Sequence, residues 1–199
     1  MNIEIKALSK NLIDDYINFF QNIAFSDHKD WSYCYCCSFH YNDKEMQKIH
    51  DEKKINGTLE DGLRNEARQL INENILQGYL AYHENKVIGW CNCNTKTNYP
   101  RLCMRNELWD ANDDNSKIKS IVCFIVAPEM RRRGVATMLL DIVCTEAKID
   151  NFSYIEAYPI NKPGNSFNHY PGPMELYKKK DFVIHKEFEK DMIVRKYLG

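Results

Sequence analysis

The sequence contains no apolar run close to the ~20 residues that a membrane-spanning helix needs. It also has little net charge, formally −1 at pH 7, and therefore no general attraction for nucleic acid or an anionic membrane. The N-terminus, MNIEIKALSKN, alternates charged and apolar residues, which predicts a strand and not a signal peptide. These absences favour a cytoplasmic protein that binds neither nucleic acid nor a membrane.

Both common glycine-rich nucleotide motifs are missing as well. The sequence has neither the Walker pattern G-x-x-x-x-G-K-[ST] nor the dinucleotide pattern G-x-G-x-x-G, so it belongs to neither of those nucleotide-binding classes. Hydrophobic residues make up 44% of the 199 residues, which is enough to fill one good core. Because no repeat, low-complexity tract or linker divides the chain, we predict a single domain over residues 1–199.

The most specific pattern lies in the segment from Ile121 to Leu140, IVCFIVAPEMRRRGVATMLL. Ile121–Pro128 predicts a buried strand and Ala136–Ile149 an amphipathic helix, and an R-x-x-G-x-A turn joins them. A strand, a glycine-bearing turn and a helix N-terminus together direct backbone N–H groups at one anion. The segment therefore predicts a phosphate-binding turn made of Arg131, Arg132, Arg133, Gly134, Val135, Ala136 and Thr137.

Strands and helices alternate around this segment. The predicted strands are Ile3–Leu8, Gly78–Tyr82, Lys86–Thr95, Phe152–Tyr158, Phe182–Glu187 and Asp191–Tyr197. The predicted helices are Leu12–Ile23, Leu59–Ile75 and Met174–Lys180. Three irregular segments are expected to shape a binding site: Trp31–Tyr41 within the unassigned stretch Ser26–Asn42, Lys96–Ser116 and Pro159–Pro173. The last is long for a strand–helix connection, which is typical of a binding loop or lid.

The turn also carries a family resemblance. Its V-x-P-x-x-R-x-x-G-x-A pattern resembles motif A of the GNAT acetyltransferases, and the order of elements resembles that superfamily over nearly the whole chain. The segment Met174–Phe182 is similar to the family's A-x-x-L-Y-x-x-x-G-F helix, with Asp181 at the position of the usual glycine. Further segments resemble a bacterial subgroup: GWC (Gly89–Cys91), YPRL (Tyr99–Leu102), CFIV (Cys123–Val126), EAYP (Glu156–Pro159) and the cysteine–aromatic stretch Trp31–Cys36.

The resemblance implies an α/β (α+β) fold: a central mixed, mostly antiparallel sheet with two splayed parallel strands and helices on both faces. It implies an acetyl-CoA-dependent N-acetyltransferase in which a primary amine attacks directly in a ternary complex. The backbone of Phe124, Ile125 and Val126 would pair with the pantetheine arm, and the 131–137 turn would bind the pyrophosphate. Tyr177 would protonate the departing thiolate, unless it is only a core aromatic residue. Relatives are commonly dimers, so a homodimer and a monomer both stay open.

The general base is less clearly indicated. Several family members place a glutamate on the motif strand, but Ser120–Ala127 contains no carboxylate. Glu156 lies in an otherwise apolar strand and alternates with Tyr154 and Tyr158, so all three share one face. We predict that Glu156 acts as the base or binds the acceptor near the mouth of its cleft. A water chain, or an amine that arrives neutral, would serve instead.

Eight cysteines without a secretion signal indicate reduced thiols. The clusters Cys34-x-Cys36-Cys37-x-x-His40 and Cys91-x-Cys93 contain metal-ligand types, but C-x-C on a strand sets two thiols about 7 Å apart, which suits a metal poorly. We expect no metal and a thiol-lined pocket for a small-molecule or peptide amine. Its predicted contacts are Tyr35, Cys36, Cys91, Tyr158 and Tyr170.

Two other functional classes stay open at this point. A non-catalytic acyl-CoA-binding or regulatory module would keep Arg131, Gly134 and Ala136 but would not need Tyr177. A metal- or redox-responsive protein would instead depend on the two cysteine clusters. The presence of Tyr177 in register with the family motif favours the enzyme.

Overall fold

A mixed seven-stranded sheet organises the residues that the computed structural model of the protein describes, which are 1–56, 58–105, 107–161 and 169–199. Its strands are β1 (Glu4–Ala7), β2 (Gly78–His83), β3 (Lys86–Thr95), β4 (Ile118–Val126), β5 (Tyr154–Ala157), β6 (Val183–Glu187) and β7 (Met192–Tyr197). Their order is β1-β2-β3-β4-β5-β7-β6, and β4 and β5 are the one parallel pair of neighbours. The predicted mixed, mostly antiparallel sheet is confirmed.

Helices cover both faces of this sheet. They are α1 (Ile13–Asn18, continued by a π-helical turn over Phe19–Ile23), α2 (Asp43–Asn56), α3 (Leu59–Asn72), α4 (Pro100–Cys103), α5 (Val135–Ile149) and α6 (Met174–Lys178). On β3, a Cβ at Gly89 would lie 2.8 Å from a methyl group of Val135 in α5. The next residue, Trp90, packs edge-on against Tyr16 of α1, with 5.0 Å between ring centroids. Because successive strand residues face opposite ways, α5 and α1 cover opposite faces.

Helix α2 is an element that the sequence analysis did not predict. Its first turn is closed by a reciprocal capping box, in which the Asn42 amide donates to Glu45 Oε2 at 2.8 Å and the Glu45 amide donates to Asn42 Oδ1 at 3.0 Å. The helix is highly charged, so its apolar stripe is too sparse to show a clear helical period. The N-x-x-E spacing at Asn42 was the available signal.

The strands β4 and β5 pair over four residues and then diverge. Register runs from Ile118 with Tyr154 to Ile121 with Ala157, after which β5 ends and β4 continues to Val126. Within the described residues, the edge of β4 beyond Ile121 therefore has no neighbouring strand on the β5 side. The predicted motif strand, Ile121–Pro128, begins three residues earlier in the structure, at Ile118.

The three irregular segments are mostly non-repetitive, as predicted, with short helical turns. Lys29–Trp31 and Cys37–His40 form 3-10 turns, and α4 interrupts the 96–116 stretch. Residues 162–168 of the predicted 159–173 loop lie outside the described residues. No helix in the described part of the chain is long and apolar enough to span a bilayer.

Buried His40 makes the stability of the fold depend on pH. Its side chain packs against the Tyr99 ring at 5.1 Å, and burial lowers the pKa of His40 from 6.5 to about 4. Between these values the unfolded chain binds a proton that the folded chain does not. The stabilisation is therefore complete above pH 6.5 and is lost as pH falls toward 4.

We predict that wild-type protein loses about 2 kcal/mol more unfolding free energy than a His40→Gln variant when pH falls from 7 to 5. Urea unfolding of both proteins at the two pH values measures this difference. A His50→Gln variant is the control, and it should keep the wild-type pH dependence. Equal pH dependence in wild type and His40→Gln would contradict the assignment.

Candidate active site

The turn between β4 and α5 has the geometry of an anion-binding site. Gly134 forms the N-terminal cap of α5 with a φ of +86°, and a Cβ built on it would have no heavy atom within 4 Å. No side chain caps this helix end. The first N–H groups of a helix have no acceptor within it, so those of Val135, Ala136 and Thr137 are directed at this open space. Such donors at a helix N-terminus suit an anion such as a phosphate group.

Arg131 in the same turn has a carboxylate partner. Its guanidinium forms a two-pronged ion pair with Asp27, one prong measuring 3.2 Å from Nη2 to Oδ1, and its Nε donates to the Val126 carbonyl at 3.3 Å. The hydrogen bonds from Arg131 to Asp27 lower the pKa of the Asp27 carboxyl. The structure thus directs the Arg131 fork at the 26–42 segment. Arg132 and Arg133 are exposed beside it.

The open edge of β4 is occupied by the chain itself. The Phe124 amide donates to the Tyr170 carbonyl at 2.6 Å, whereas the Ala127 amide donates to Ile88 of β3 at 2.9 Å. Since successive residues turn their backbone groups to opposite edges, Phe124 and Val126 face the gap and Ile125 faces β3. The expectation for Ile125 is therefore wrong, because its backbone points away from the gap. The Phe124 amide does face the gap, where the Tyr170 carbonyl accepts its hydrogen bond.

Residues His169–Gly172, here termed the strap, lie between β4 and α6. The Tyr177 hydroxyl donates to the Pro171 carbonyl, one residue after the carbonyl that binds Phe124. Gly172 has a φ of +88°, and a Cβ there would approach the Tyr177 hydroxyl to 2.7 Å. Two donors from opposite sides, a strand amide and a phenol, thus converge on carbonyl oxygens of one short segment.

Tyr177 is fully buried and packs against Phe182, with ring centroids 5.2 Å apart. Its ring belongs to the core, as in the plainer interpretation of the sequence, but its hydroxyl reaches the gap beside β4. Burial raises the pKa of Tyr177 well above its usual value, so the phenol keeps its proton at neutral pH.

Glu156 occupies a buried charge network. Lys96 Nζ lies 2.7 Å from Glu156 Oε2, the Tyr158 hydroxyl donates to the same oxygen at 3.0 Å, and Arg195 binds Oε1. Arg195 also pairs with Asp113. The prediction that Glu156 lies at the mouth of the acceptor cleft is wrong, because its side chain is 0% exposed and both oxygens are engaged. Removing it would leave the buried Lys96 without its carboxylate partner, and Arg195 would keep only Asp113.

A cavity of about 450 Å³ lies on the α1 side of the sheet, against β4. Its lining is mainly aromatic, aliphatic and thiol, and the residues are Phe25, Trp31, Cys34, Cys36, Ser38, Phe39, Arg101, Leu102, Arg105, Cys123, Ile125 and Tyr170. Cys123 and Ile125 flank Phe124, and Tyr170 belongs to the strap. The cavity therefore adjoins the edge of β4 from which the Phe124 amide points outward.

Two consecutive residues at the cavity have left-handed backbone: Cys36, which lines it, and Tyr35, which directly precedes Cys36. Tyr35 and Cys36 have φ values of 40° and 48°, and buried side chains hold their carbonyls. The Tyr16 hydroxyl donates to the Tyr35 carbonyl at 2.7 Å, and the Asn92 amide group donates to that of Cys36 at 3.3 Å. Such strained conformations persist only where the surroundings enforce them.

Among the predicted acceptor contacts, Cys36 and Tyr170 line the cavity. Tyr35, Cys91 and Tyr158 are buried and lie outside its lining, so the structure does not bring them to it. The sequence analysis did not single out Arg101, Arg105 or the aromatic lining residues other than Tyr170. It did name the segments that contain most of them. The signal for Arg101 was the YPRL segment, which had entered only as a resemblance.

All eight cysteines are free, and three of them, Cys34, Cys36 and Cys123, line the cavity. Hydrogen bonding between thiols joins Cys34 to Cys36 and Cys36 to Cys123; together with burial it raises the pKa of Cys34 and Cys36. Across the described ranges, the one group of three candidate metal ligands is Asp110, Asp113 and His185. Its carboxylates already pair with Lys186 and Arg195.

Comparison with known proteins identifies the family. Residues 43–167, more than half of the chain, match the acetyltransferase (GNAT) family. The strand–turn–helix cradle and the diverging parallel strands thus belong to an acetyltransferase, and the protein is a member of the GNAT family. No curated protein matches the sequence significantly.

Several solved structures are similar along the whole chain. One is the PaiA N-acetyltransferase of Thermoplasma acidophilum in complex with coenzyme A, at 16% identity, 99% coverage of both chains and a TM-score of 0.54. Another is the ribosomal-protein-S5-alanine acetyltransferase of Vibrio fischeri, at 12% identity, 100% coverage of this chain and 94% of that chain, and a TM-score of 0.57. A GNAT acetyltransferase of Streptococcus pneumoniae shares 12% identity over 100% of both chains, with a TM-score of 0.56. At these identities the likeness shows the fold.

The cradle predicts how acetyl-CoA affects thermal stability. A ligand held by the helix N-terminus should raise the melting temperature of wild-type protein, because it binds the folded state. Gly134→Glu places bulk and negative charge in the open space and should abolish this rise. An Ile149→Glu variant adds the same charge at the opposite end of α5, where the side chain is exposed, and should keep it. Differential scanning fluorimetry measures all three; an unchanged rise in Gly134→Glu would refute the cradle.

Proposed function

We propose that the protein transfers an acetyl group from acetyl-CoA to a primary amine. The observation that carries the proposal is the convergence of the Phe124 amide and the Tyr177 hydroxyl on carbonyl oxygens in the gap beside β4. A thioester carbonyl offers the same kind of acceptor as the peptide carbonyls now bound there. The anion cradle at the start of α5 follows the same strand, so one extended molecule would reach both.

The chain binds acetyl-CoA mainly through backbone groups in this proposal. The N–H groups of Val135, Ala136 and Thr137 hold the pyrophosphate, and the absence of a side chain at Gly134 gives it room. Arg132 and Arg133 add positive charge at the rim. Arg131 contributes to the phosphates only if its fork leaves Asp27, and in its present position it fixes the turn to the 26–42 segment.

The strap has to leave the gap before the reaction. The Tyr170 carbonyl occupies the Phe124 amide, and the Pro171 carbonyl occupies the Tyr177 hydroxyl. Each hydrogen bond is replaced by an equivalent one to the incoming molecule, so the exchange costs little net hydrogen bonding. The strap thereby keeps the buried donors satisfied while the site is empty of substrate.

Acetyl-CoA supplies the acetyl group as a thioester. The Phe124 amide then stabilises the negative charge that develops on the carbonyl oxygen as the amine nitrogen attacks. The new C–N bond forms and the C–S bond breaks, and Tyr177 gives its proton to the departing thiolate. Among the described residues that line the cavity none is a carboxylate, so the proton of the amine passes to water, from which Tyr177 is reprotonated. The buried and engaged Glu156 takes no part.

Removing the Tyr177 hydroxyl should separate chemistry from binding. We predict that Tyr177→Phe lowers kcat by about 10²–10⁴-fold, because the thiolate then departs without a general acid. The melting temperature should fall only slightly, since the lost bond to Pro171 is a single hydrogen bond. The affinity for acetyl-CoA should be retained in a calorimetric titration.

Tyr41→Phe is the matched control. It also removes a phenol hydroxyl from a hydrogen bond, at 2.7 Å to Glu66, but far from the gap in sequence and outside the cavity lining. Its kcat should match that of the wild type. Normal turnover by Tyr177→Phe would show that Tyr177 is only a core aromatic residue. Binding of acetyl-CoA without transfer to any amine would favour an acyl-CoA-binding module.

A further inference from the structure

The charged residues that line the cavity beside β4 are all positive. Of its twelve lining residues, Arg101 and Arg105 are the charged ones, and among these described lining residues none is acidic. The rest of the wall is aromatic, aliphatic or thiol, apart from Ser38, and the thiols of Cys34 and Cys36 are held protonated. An apolar chamber with guanidinium groups on one side is suited to a ligand with an apolar body and one negatively charged group.

Arg101 is the better placed of the two arginines to bind such a group. Its Nη1 donates to the Ser38 carbonyl at 3.4 Å, and its Nη2 lies 3.9 Å from an exposed Asp43 carboxylate. Both contacts are long, so the described residues leave most of its hydrogen-bonding capacity without a strong partner. A guanidinium presents parallel donors that match the two oxygens of a carboxylate.

Arg105 is more strongly engaged and has a supporting role. Its guanidinium pairs with Asp191 at 2.5 Å and with Glu107 at 3.3 Å. Neither carboxylate is part of the cavity lining. Asp191 therefore fixes Arg105 in position and compensates much of its charge, so Arg101 is the residue expected to bind the negatively charged group.

We infer that the acceptor is a small amino-carboxylate with an apolar side group, whose carboxylate is bound by Arg101 and whose amine reaches β4. This inference rests on the proposed acetyl transfer and names the substrate class for it. The side chains of Cys123 and Ile125 form the cavity wall on either side of Phe124, so an amine at this end lies beside the amide that would bind the thioester. Arg101 lies on α4, and Arg105 lies two residues after its end. The apolar part of the wall is therefore available to the side group of the acceptor.

The same lining disfavours amines with a second positive charge. A polyamine, or a lysine within a basic peptide, would bring further ammonium groups into a chamber where the fixed charges are positive. Repulsion and the lack of an acidic partner in the wall would weaken such binding. The inference therefore separates this acceptor class from others that GNAT chemistry would permit.

The direct test compares matched acid and amide ligands by isothermal titration calorimetry. The probes are the N-acetylated reaction products of phenylalanine, leucine and methionine, each as the free carboxylate and as the neutral amide. We expect at least one acid to bind wild-type protein about 10- to 100-fold more tightly than its amide, as a charge-assisted pair with a guanidinium requires. If no acid binds more tightly than its amide, the inference is wrong.

Variants assign the preference to Arg101. Arg101→Gln should reduce the affinity for the acid to that for the amide and leave the amide unchanged, and Arg101→Lys should restore part of the difference. Arg68→Gln is the control, because Arg68 is equally exposed at 42% and pairs with Asp14 away from the cavity. An acid preference that survives in Arg101→Gln would overturn the assignment.

Acetyl transfer to the free amines distinguishes this inference from the proposed function. Amino acids should have a lower KM than their amides in wild-type protein, and this difference should vanish in Arg101→Gln. If amides and polyamines are acetylated as well as the amino acids, the substrate class is wrong and acetyl transfer stands. If the acids bind through Arg101 but no amine is acetylated, the binding site stands and the proposed function fails.

Discussion

The divergence of β4 from β5 is the constraint on which the rest of the site depends. Pairing stops after Ile121 and Ala157, so the backbone groups of β4 that face the gap need other partners. In the free protein the strap supplies one, through the Tyr170 carbonyl on the Phe124 amide. The same opening lets the side chain of Tyr177 reach the gap and places the cavity against the strand. A sheet paired over its full length would have neither the gap nor the donors.

The local pattern predicted much of the fold. Strand, glycine turn and helix at 118–149 follow from hydrophobic period and from Gly134, whose positive φ suits a residue without a side chain. The strands of the β2–β3 and β6–β7 hairpins were predicted in the same way, because alternation and short turns are features of neighbouring residues. Helix α2 was missed because its charged sequence is held by a capping box whose signal is only four residues long.

The partners of charged side chains could not be predicted from the sequence. Arg131 was expected to bind phosphate, yet its fork holds Asp27, which lies 104 residues earlier. Glu156 was expected at a cleft mouth, yet Lys96 and Arg195 enclose it. In both cases the residue type was interpreted correctly as able to bind a charged group. The partner in the fold is a charged side chain from elsewhere in the sequence. Backbone features of the site, which depend on local sequence, were more predictable than side-chain pairs.

A crystal structure of the protein with a non-reactive thioether analogue of acetyl-CoA would test the central claim most directly. The account predicts that the pyrophosphate accepts hydrogen bonds from the N–H groups of residues 135–137 and that the acetyl carbonyl accepts one from Phe124. It also predicts that the Tyr170 carbonyl has moved off that amide. An analogue bound elsewhere, or bound while Tyr170 still holds Phe124 and the acetyl group lies outside the gap, would contradict it.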